Sequence, residues 1–236
     1  MPRRVCLPLR LAMKKPELIL FASQPVAGQV KTRLQPAVTP QQAADIAAFM
    51  LRTLATRAVE YWPGDVYLYA TPDAQHPLFL ELSQALHLFL ASQGAGNGGE
   101  RLHRALLHGI ARRGAAAVMQ CDVPQCSGSI LETAHEHLAR GRNVLGPTMD
   151  GGCYFLGLQR DVPELFEPMP GGRDKTLVET LARAARAGIE FETLPVLRDV
   201  DTAEDLTAVA QDCPGLWSLG PETAAKYFRL NNMPLP

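Results

Sequence analysis

Glu17-Leu18-Ile19-Leu20-Phe21-Ala22, bounded by Pro16 and followed by the loop-like segment Ser23 to Val38, decides the fold. A short apolar run without polar alternation reads as a strand buried on both faces. The segment after it carries Pro25, Gly28 and Pro36 among polar residues and reads as a loop. Thr39-Pro40-Gln41-Gln42 then supplies an N-cap threonine, a proline at the first helical position and a glutamine three residues after the cap. A helix is predicted from there to about Glu60, with Ala43, Ile46, Ala47, Met50, Leu51, Leu54 and Ala58 on one face.

The same alternation continues outward. Val66 to Ala70 reads as a strand stopped by Thr71-Pro72-Asp73, Pro77 to Gln84 as a helix, and Leu86 to Leu90 as a strand. Gln93 to Gly99 is a glycine-rich loop, Glu100 to Arg112 a helix ended by Gly114, and Ala115 to Gln120 a buried strand. Ser129 to Glu132 has the form of a capping box opening a helix to about Arg140. Asn143 to Pro147, Tyr154 to Leu158 and Phe191 to Leu194 are further strands. Helices are predicted over Asp174 to Ala187, stopped by Gly188, and from Thr202 onward. Strands alternating with helices of this length predict an α/β fold with a mostly parallel sheet covered on both faces.

Composition narrows the function. The 236 residues carry 23 basic and 24 acidic side chains, a formal net charge of −1 and 47% hydrophobic content. One domain is the expectation, and the charge balance supplies no global field for a polyanion, so nucleic acid is not the expected partner. Cys6, Cys121, Cys126, Cys153 and Cys213 are odd in number, scattered and without a C-x-x-C pair, which reads as reduced thiols in a cytoplasmic protein. No run of 18 or more apolar residues is present, so membrane insertion is not expected. Residues 1–12 are expected to be a disordered extension, with Met13 as the natural start and 13–236 as the domain.

Four segments could carry chemistry. Gly28-Gln29-Val30-Lys31-Thr32-Arg33-Leu34 follows the first strand, where open α/β sheets bind ligands. Lys31 and Arg33 provide local positive charge for a phosphate, or else form a solvated basic turn. Asp122, just past the strand ending at Gln120, is placed to hold a hard cation or to shape the turn at Pro124. Asp150-Gly151-Gly152 between two strands reads as a turn whose glycines admit a sugar or acceptor, with Asp150 bonding hydroxyls or serving as base. Asp201 precedes the Thr202 cap and is either a second metal ligand or part of the cap. The histidines have no ligand spacing; His135 and His137 are two apart on a helix and face different ways.

Taken in order, Phe21-Ala22-x-x-Pro25-x-x-Gly28-x-Val30-Lys31-Thr32-Arg33-Leu34, Asp122-x-Pro124, Gly146-Pro147-x-x-Asp150-Gly151-Gly152 and Asp199-x-Asp201-Thr202-x-Glu204-Asp205-Leu206 resemble a known family. They are similar to the bacterial arsenosugar-biosynthesis-type glycosyltransferases, related to molybdenum-cofactor and phospholactate guanylyltransferases. The resemblance runs from about Leu18 to Leu206. It implies a glycosyltransferase-A-like three-layer α/β/α sandwich, the nucleotide-diphospho-sugar transferase fold. It further implies nucleotide binding by Ala22, Ser23, Gly28, Lys31 and Arg33, and substrate contacts from Glu100, Gly151, Gly152 and Tyr154. Mg²⁺ or Mn²⁺ would sit on Asp122 and Asp201, the latter by analogy with sugar nucleotidyltransferases that carry a similar Asp-Thr-x-Glu-Asp-Leu segment, and Asp122 and Asp150 would be catalytic.

The chain departs from that pattern at Ser23, usually lysine, and at Gln120-Cys121, usually Gly-Ser or Gly-Thr. It also departs at Asn97-Gly98, where aspartate-leucine is common, at Cys153, usually tyrosine, and at Gly171-Gly172-Arg173, usually Trp-Gly-Thr. The expected function is metal-dependent glycosyl transfer from a nucleotide sugar to a small acceptor. The alternatives are nucleotidyl transfer with release of pyrophosphate, and nucleotide binding without turnover.

Overall fold

The computed structural model describes residues 15–167, 176–213 and 215–216. The expected N-terminal extension and Gly171-Gly172-Arg173 lie outside the described residues.

Seven strands form one sheet: β1 (Glu17–Ser23), β2 (Val66–Thr71), β3 (Phe89–Ser92), β4 (Ala116–Gln120), β5 (Asn143–Pro147), β6 (Cys153–Leu158) and β7 (Phe191–Thr193). Their spatial order is β3-β2-β1-β4-β6-β5-β7. All neighbours are parallel except at β6, which runs antiparallel to both β4 and β5. The sequence reading of a mostly parallel sheet holds. β6 breaks the rule because only the short stretch Thr148 to Gly152 separates it from β5, too few residues for a parallel crossover.

Among the described residues six helices cover the sheet: α1 (Pro40–Tyr61), α2 (Pro77–Leu86), α3 (Gly98–Arg113), α4 (Gly128–Ala139), α5 (Thr176–Arg186) and α6 (Ala203–Asp212). Leu18, Leu20 and Ala22 of β1 face a core with α1, α2 and α4, whereas Ile19 and Phe21 face a second core with α3 and α5. Leu18, Ile19 and Leu20 are fully buried, each contributing roughly 1.5–3 kcal/mol of hydrophobic stabilisation. This two-sided burial is why β1 has no polar alternation. A third cluster joins Leu34 and Val38 of the loop after β1 to Ile46 and Met50 of α1 and to Val200, Leu206 and Val209 at α6.

The capping signals are largely realised. Thr39 forms the predicted capping box with Gln42, and Gly114 closes α3 in the left-handed region at φ 74. At α4 the structure corrects the reading: Ser127, not Ser129, is the N-cap, accepting from the Ile130 N–H, while the two serine hydroxyls bond each other. The third strand begins at Phe89 rather than Leu86 because α2 continues through Leu86 and His87 turns it left-handed at φ 54. Among the described residues no helix is long and apolar enough to cross a membrane.

Candidate active site

The chain runs outward from β1 to β2 and β3, then returns to place β4 on the other side of β1. The carboxyl ends of β1 and β4 therefore form a topological switch point, where loops diverge and leave a crevice. A cleft of about 840 Å³ opens there, and Ser23, Lys31, Arg33, Asp122, Asp150, Gly152, Asp199 and Asp201 are among its lining residues.

Each charged group is positioned by packing elsewhere. Asp122 follows β4, and the turn after it is held by Arg57 of α1, which donates to the carbonyls of Pro124 and Cys126. Val200 donates its backbone N–H to the Asp122 carbonyl at 2.9 Å, which draws the segment before α6 alongside the end of β4. Val200 is itself fully buried against Leu34 and Leu206. Asp199 and Asp201 flank it, and in extended backbone residues two apart point the same way. Asp205 fixes the segment by accepting from Thr202 in a capping box and from Arg198 at 3.2 Å.

The outcome is a cluster in which Asp122, Asp199 and Asp201 each offer an oxygen, all within 4.8 Å of one another. Lys31 donates to Asp201 Oδ1 at 2.8 Å and to Asp122 Oδ2 at 3.4 Å, while Arg33 donates to Asp201 Oδ2 at 3.0 Å. Lys31 has a left-handed backbone, φ 46 and ψ 42, at the start of a short 3-10 turn, Thr32–Leu34, whose Leu34 is buried in the third cluster. Burial works against the Lys31 charge, but the adjacent Asp122 and Asp201 carboxylates outweigh it and raise its pKa. Asp199 is pushed up to about 6, first by burial and then by repulsion from Asp150, Asp122 and Asp201. Three carboxylate oxygens at this spacing suit a hard divalent ion, for which metal–oxygen distances are about 2.0–2.6 Å.

The sequence-expected residues divide. Lys31, Arg33, Asp122 and Asp201 meet, and Ser23, Asp150 and Gly152 line the same cleft. The Asp150 Oδ1 atom accepts from the Thr148 hydroxyl at 2.6 Å and the Gly152 N–H at 2.9 Å, so turn and cleft roles coincide. Gly151, at φ 86, lies in that turn and accepts from the Leu177 N–H of α5 at 2.8 Å. Gly28, at φ 81, is exposed on the loop before Lys31, and Ala22 is buried at the end of β1; neither is among the residues that line the cleft.

The other two expected substrate contacts, Glu100 and Tyr154, are both engaged within the fold. Glu100 completes the capping box of α3 with Asn97, which commits its carboxylate to a backbone N–H; Asn97 and Gly99 line the cleft instead. Tyr154 lines the cleft, though it is only 1% exposed and donates its hydroxyl to the Pro195 carbonyl at 3.1 Å. Conversely, sequence reasoning passed over Asp199 as a ligand, although the alternation Asp199-x-Asp201 was the signal for it. Cys153 also lines the cleft, but its thiol is pushed up to about 12 by burial and by Asp150, which leaves little thiolate.

Among solved structures, a candidate nucleotide-diphospho-sugar transferase from Desulfovibrio desulfuricans G20 is similar to the chain, with 25% identity and a TM-score of 0.80, covering 93% of this chain and 96% of that one. A CMP:2-keto-3-deoxy-manno-octonic acid synthetase complexed with CTP has 15% identity and a TM-score of 0.51, over 84% of this chain and 99% of that one. Rv0371c from Mycobacterium tuberculosis H37Rv, in complex with manganese, has 16% identity and a TM-score of 0.51, over 83% and 98%. The last two likenesses concern the fold alone. No curated protein sequence matches the chain. Residues 53–173, more than half of the sequence, match the family described as "Uncharacterized protein conserved in bacteria (DUF2064)", and the chain belongs to that family.

Proposed function

We propose that this chain, with residues 13–236 as one catalytic domain, is a metal-dependent glycosyltransferase of the arsenosugar-biosynthesis type. It would use a nucleotide-diphosphate sugar and a small acceptor. The observation that carries the reading is the convergence of Asp122, Asp199 and Asp201 beside Lys31 and Arg33 at the switch point of the sheet. The similarity to the D. desulfuricans protein supports the donor class.

Glycosyl transfer leaves negative charge on the departing nucleoside diphosphate, and catalysis requires positive charge preorganised where it develops. Mg²⁺ or Mn²⁺ held by Asp122, Asp199 and Asp201 would supply Lewis-acid stabilisation of that charge. Lys31 and Arg33 add charge-assisted hydrogen bonds to the phosphate oxygens. Gly28, with its positive φ, turns the loop after β1, and a nucleotide would lie over Ala22, Ser23 and that loop. Both bonds to Asp150 fall on Oδ1, so Oδ2 is the atom that faces an acceptor hydroxyl, orienting it and, in an inverting reaction, taking its proton. Gly152, without a side chain, leaves room for the same acceptor beside Asp150.

Nucleotidyl transfer is the second reading, favoured by the Lys31-Thr32-Arg33-Leu34 segment, which is similar to that of phospholactate guanylyltransferases. One experiment separates the two. The protein is screened by thermal shift against nucleotide sugars and nucleoside triphosphates with Mn²⁺, and turnover is then followed by identifying the released product. A nucleoside diphosphate supports glycosyl transfer, pyrophosphate supports nucleotidyl transfer, and no metal-dependent binding of either ligand class overturns both.

A further inference from the structure

We propose that Lys31 is the resident counter-ion of the carboxylate cluster, holding the cation's place until a metal-bound diphosphate arrives and then turning to the diphosphate. The inference rests on the metal–nucleotide reading of the site and goes beyond it, because it couples the loading of metal to the loading of diphosphate.

The geometry behind it is specific. Nζ of Lys31 contacts one oxygen of Asp201 at 2.8 Å and one of Asp122 at 3.4 Å, and the side chain is only 12% exposed. A divalent ion shared by those carboxylates needs oxygens at about 2.0–2.1 Å if it is Mg²⁺. Ammonium and metal therefore compete for the same oxygens, and two cations so close repel strongly in a partly desolvated cleft. Arg33 uses the other Asp201 oxygen and is 58% exposed, so it does not block the cluster in this way.

Lys31 is built to let go. Its backbone is anchored through Leu34, fully buried beside Val200, so the loop stays while the flexible four-carbon stem swings. A free divalent ion would have to displace this ammonium without bringing an anion to receive it. A metal–diphosphate complex brings phosphate oxygens that accept the displaced ammonium in charge-assisted bonds. Metal and diphosphate then favour each other's binding, and the coupling is reciprocal.

The test titrates Mn²⁺ into wild type, Lys31→Met and Lys31→Gln by electron paramagnetic resonance, first alone and then with saturating inorganic pyrophosphate. Circular dichroism reports the fold of each variant, and two variants guard against one failing to fold. Both are expected to bind Mn²⁺ alone about tenfold tighter than wild type, and Mn²⁺–pyrophosphate about tenfold weaker. These opposite signs are what a merely structural lysine would not produce. Folded variants that bind Mn²⁺ alone no tighter than wild type overturn the inference. If Asp122→Asn still abolishes Mn²⁺ binding in that case, the metal reading stands and only the counter-ion role falls. If no protein binds Mn²⁺ with or without pyrophosphate, both fall together.

Discussion

The backbone N–H of Val200 donates to the carbonyl of Asp122 at 2.9 Å, although the two residues lie on different segments of the chain. This bond sets the register between the end of β4 and the segment before α6. One carboxylate precedes the bond on the β4 side, and Asp199 and Asp201 flank it on the other. The cluster is therefore a property of how the two segments are clamped, and the clamp is hydrophobic: Val200, Leu34 and Leu206 share one buried group.

Leu34→Ala tests that clamp. Leu34 is fully buried, so its truncation is expected to cost about 2–4 kcal/mol of stability, read from the urea midpoint. Because the same residue anchors Lys31 and Arg33, binding of a nucleoside diphosphate with Mn²⁺ should weaken as well. A destabilised variant with unchanged affinity would separate the core from the site.

Asp122→Asn removes a charged ligand while keeping the shape of the side chain. Mn²⁺ binding by calorimetry is expected to fall by more than about 100-fold, the upper end of what outer-sphere partners cost. The circular dichroism spectrum should not change. Retained affinity would take Asp122 out of the metal site.

The raised Asp199 carboxyl makes stability pH-dependent in a definite direction. Its value moves from 3.8 to about 6 in the folded, metal-free protein, so across that window the native state binds more protons than the unfolded chain. Stability contributed by this group consequently falls as pH rises through the window and is lowest above about pH 6. Asp199→Asn should raise the metal-free melting temperature at pH 7.5, give no gain near pH 4, and weaken Mn²⁺ binding. Equal melting temperatures at pH 7.5 would contradict the repulsion argument.

Away from the cleft, Glu17 is fully buried at the start of β1 and accepts both hydrogen bonds of an Arg112 fork, with the guanidinium 4.6 Å from the centre of the Tyr67 ring. Arg112→Ala strands that carboxylate and is expected to cost about 2–4 kcal/mol in chemical denaturation. Arg112→Lys should recover only part, because a lysine cannot reproduce the bidentate geometry. A change below about 0.5 kcal/mol would show that the pair contributes nothing net.

Local patterns determined much of this protein in advance. The uninterrupted run Leu18-Ile19-Leu20-Phe21 specifies a strand covered on both faces, because no polar residue on it could reach water. Thr39-Pro40-Gln41-Gln42 specifies where α1 begins, since cap and box satisfy orphan backbone donors within one turn. Short-range chemistry of this kind is legible because its partners are neighbours in sequence. Ser127 taking the cap from Ser129 shows its limit, as two serines two residues apart offered equivalent local signals.

What the tertiary structure alone decided is which side chains meet and which are consumed. Glu100 was an expected ligand contact, yet it caps a helix, while Tyr154 lines the cleft with its hydroxyl already bonded to Pro195. Asp199 gained a place in the cluster through the Val200 clamp, and Lys31 came to lie between Asp122 and Asp201, 91 and 170 residues away along the chain. Distances of that kind depend on the order of strands in the sheet and the burial of a few apolar residues. No window of sequence contains them.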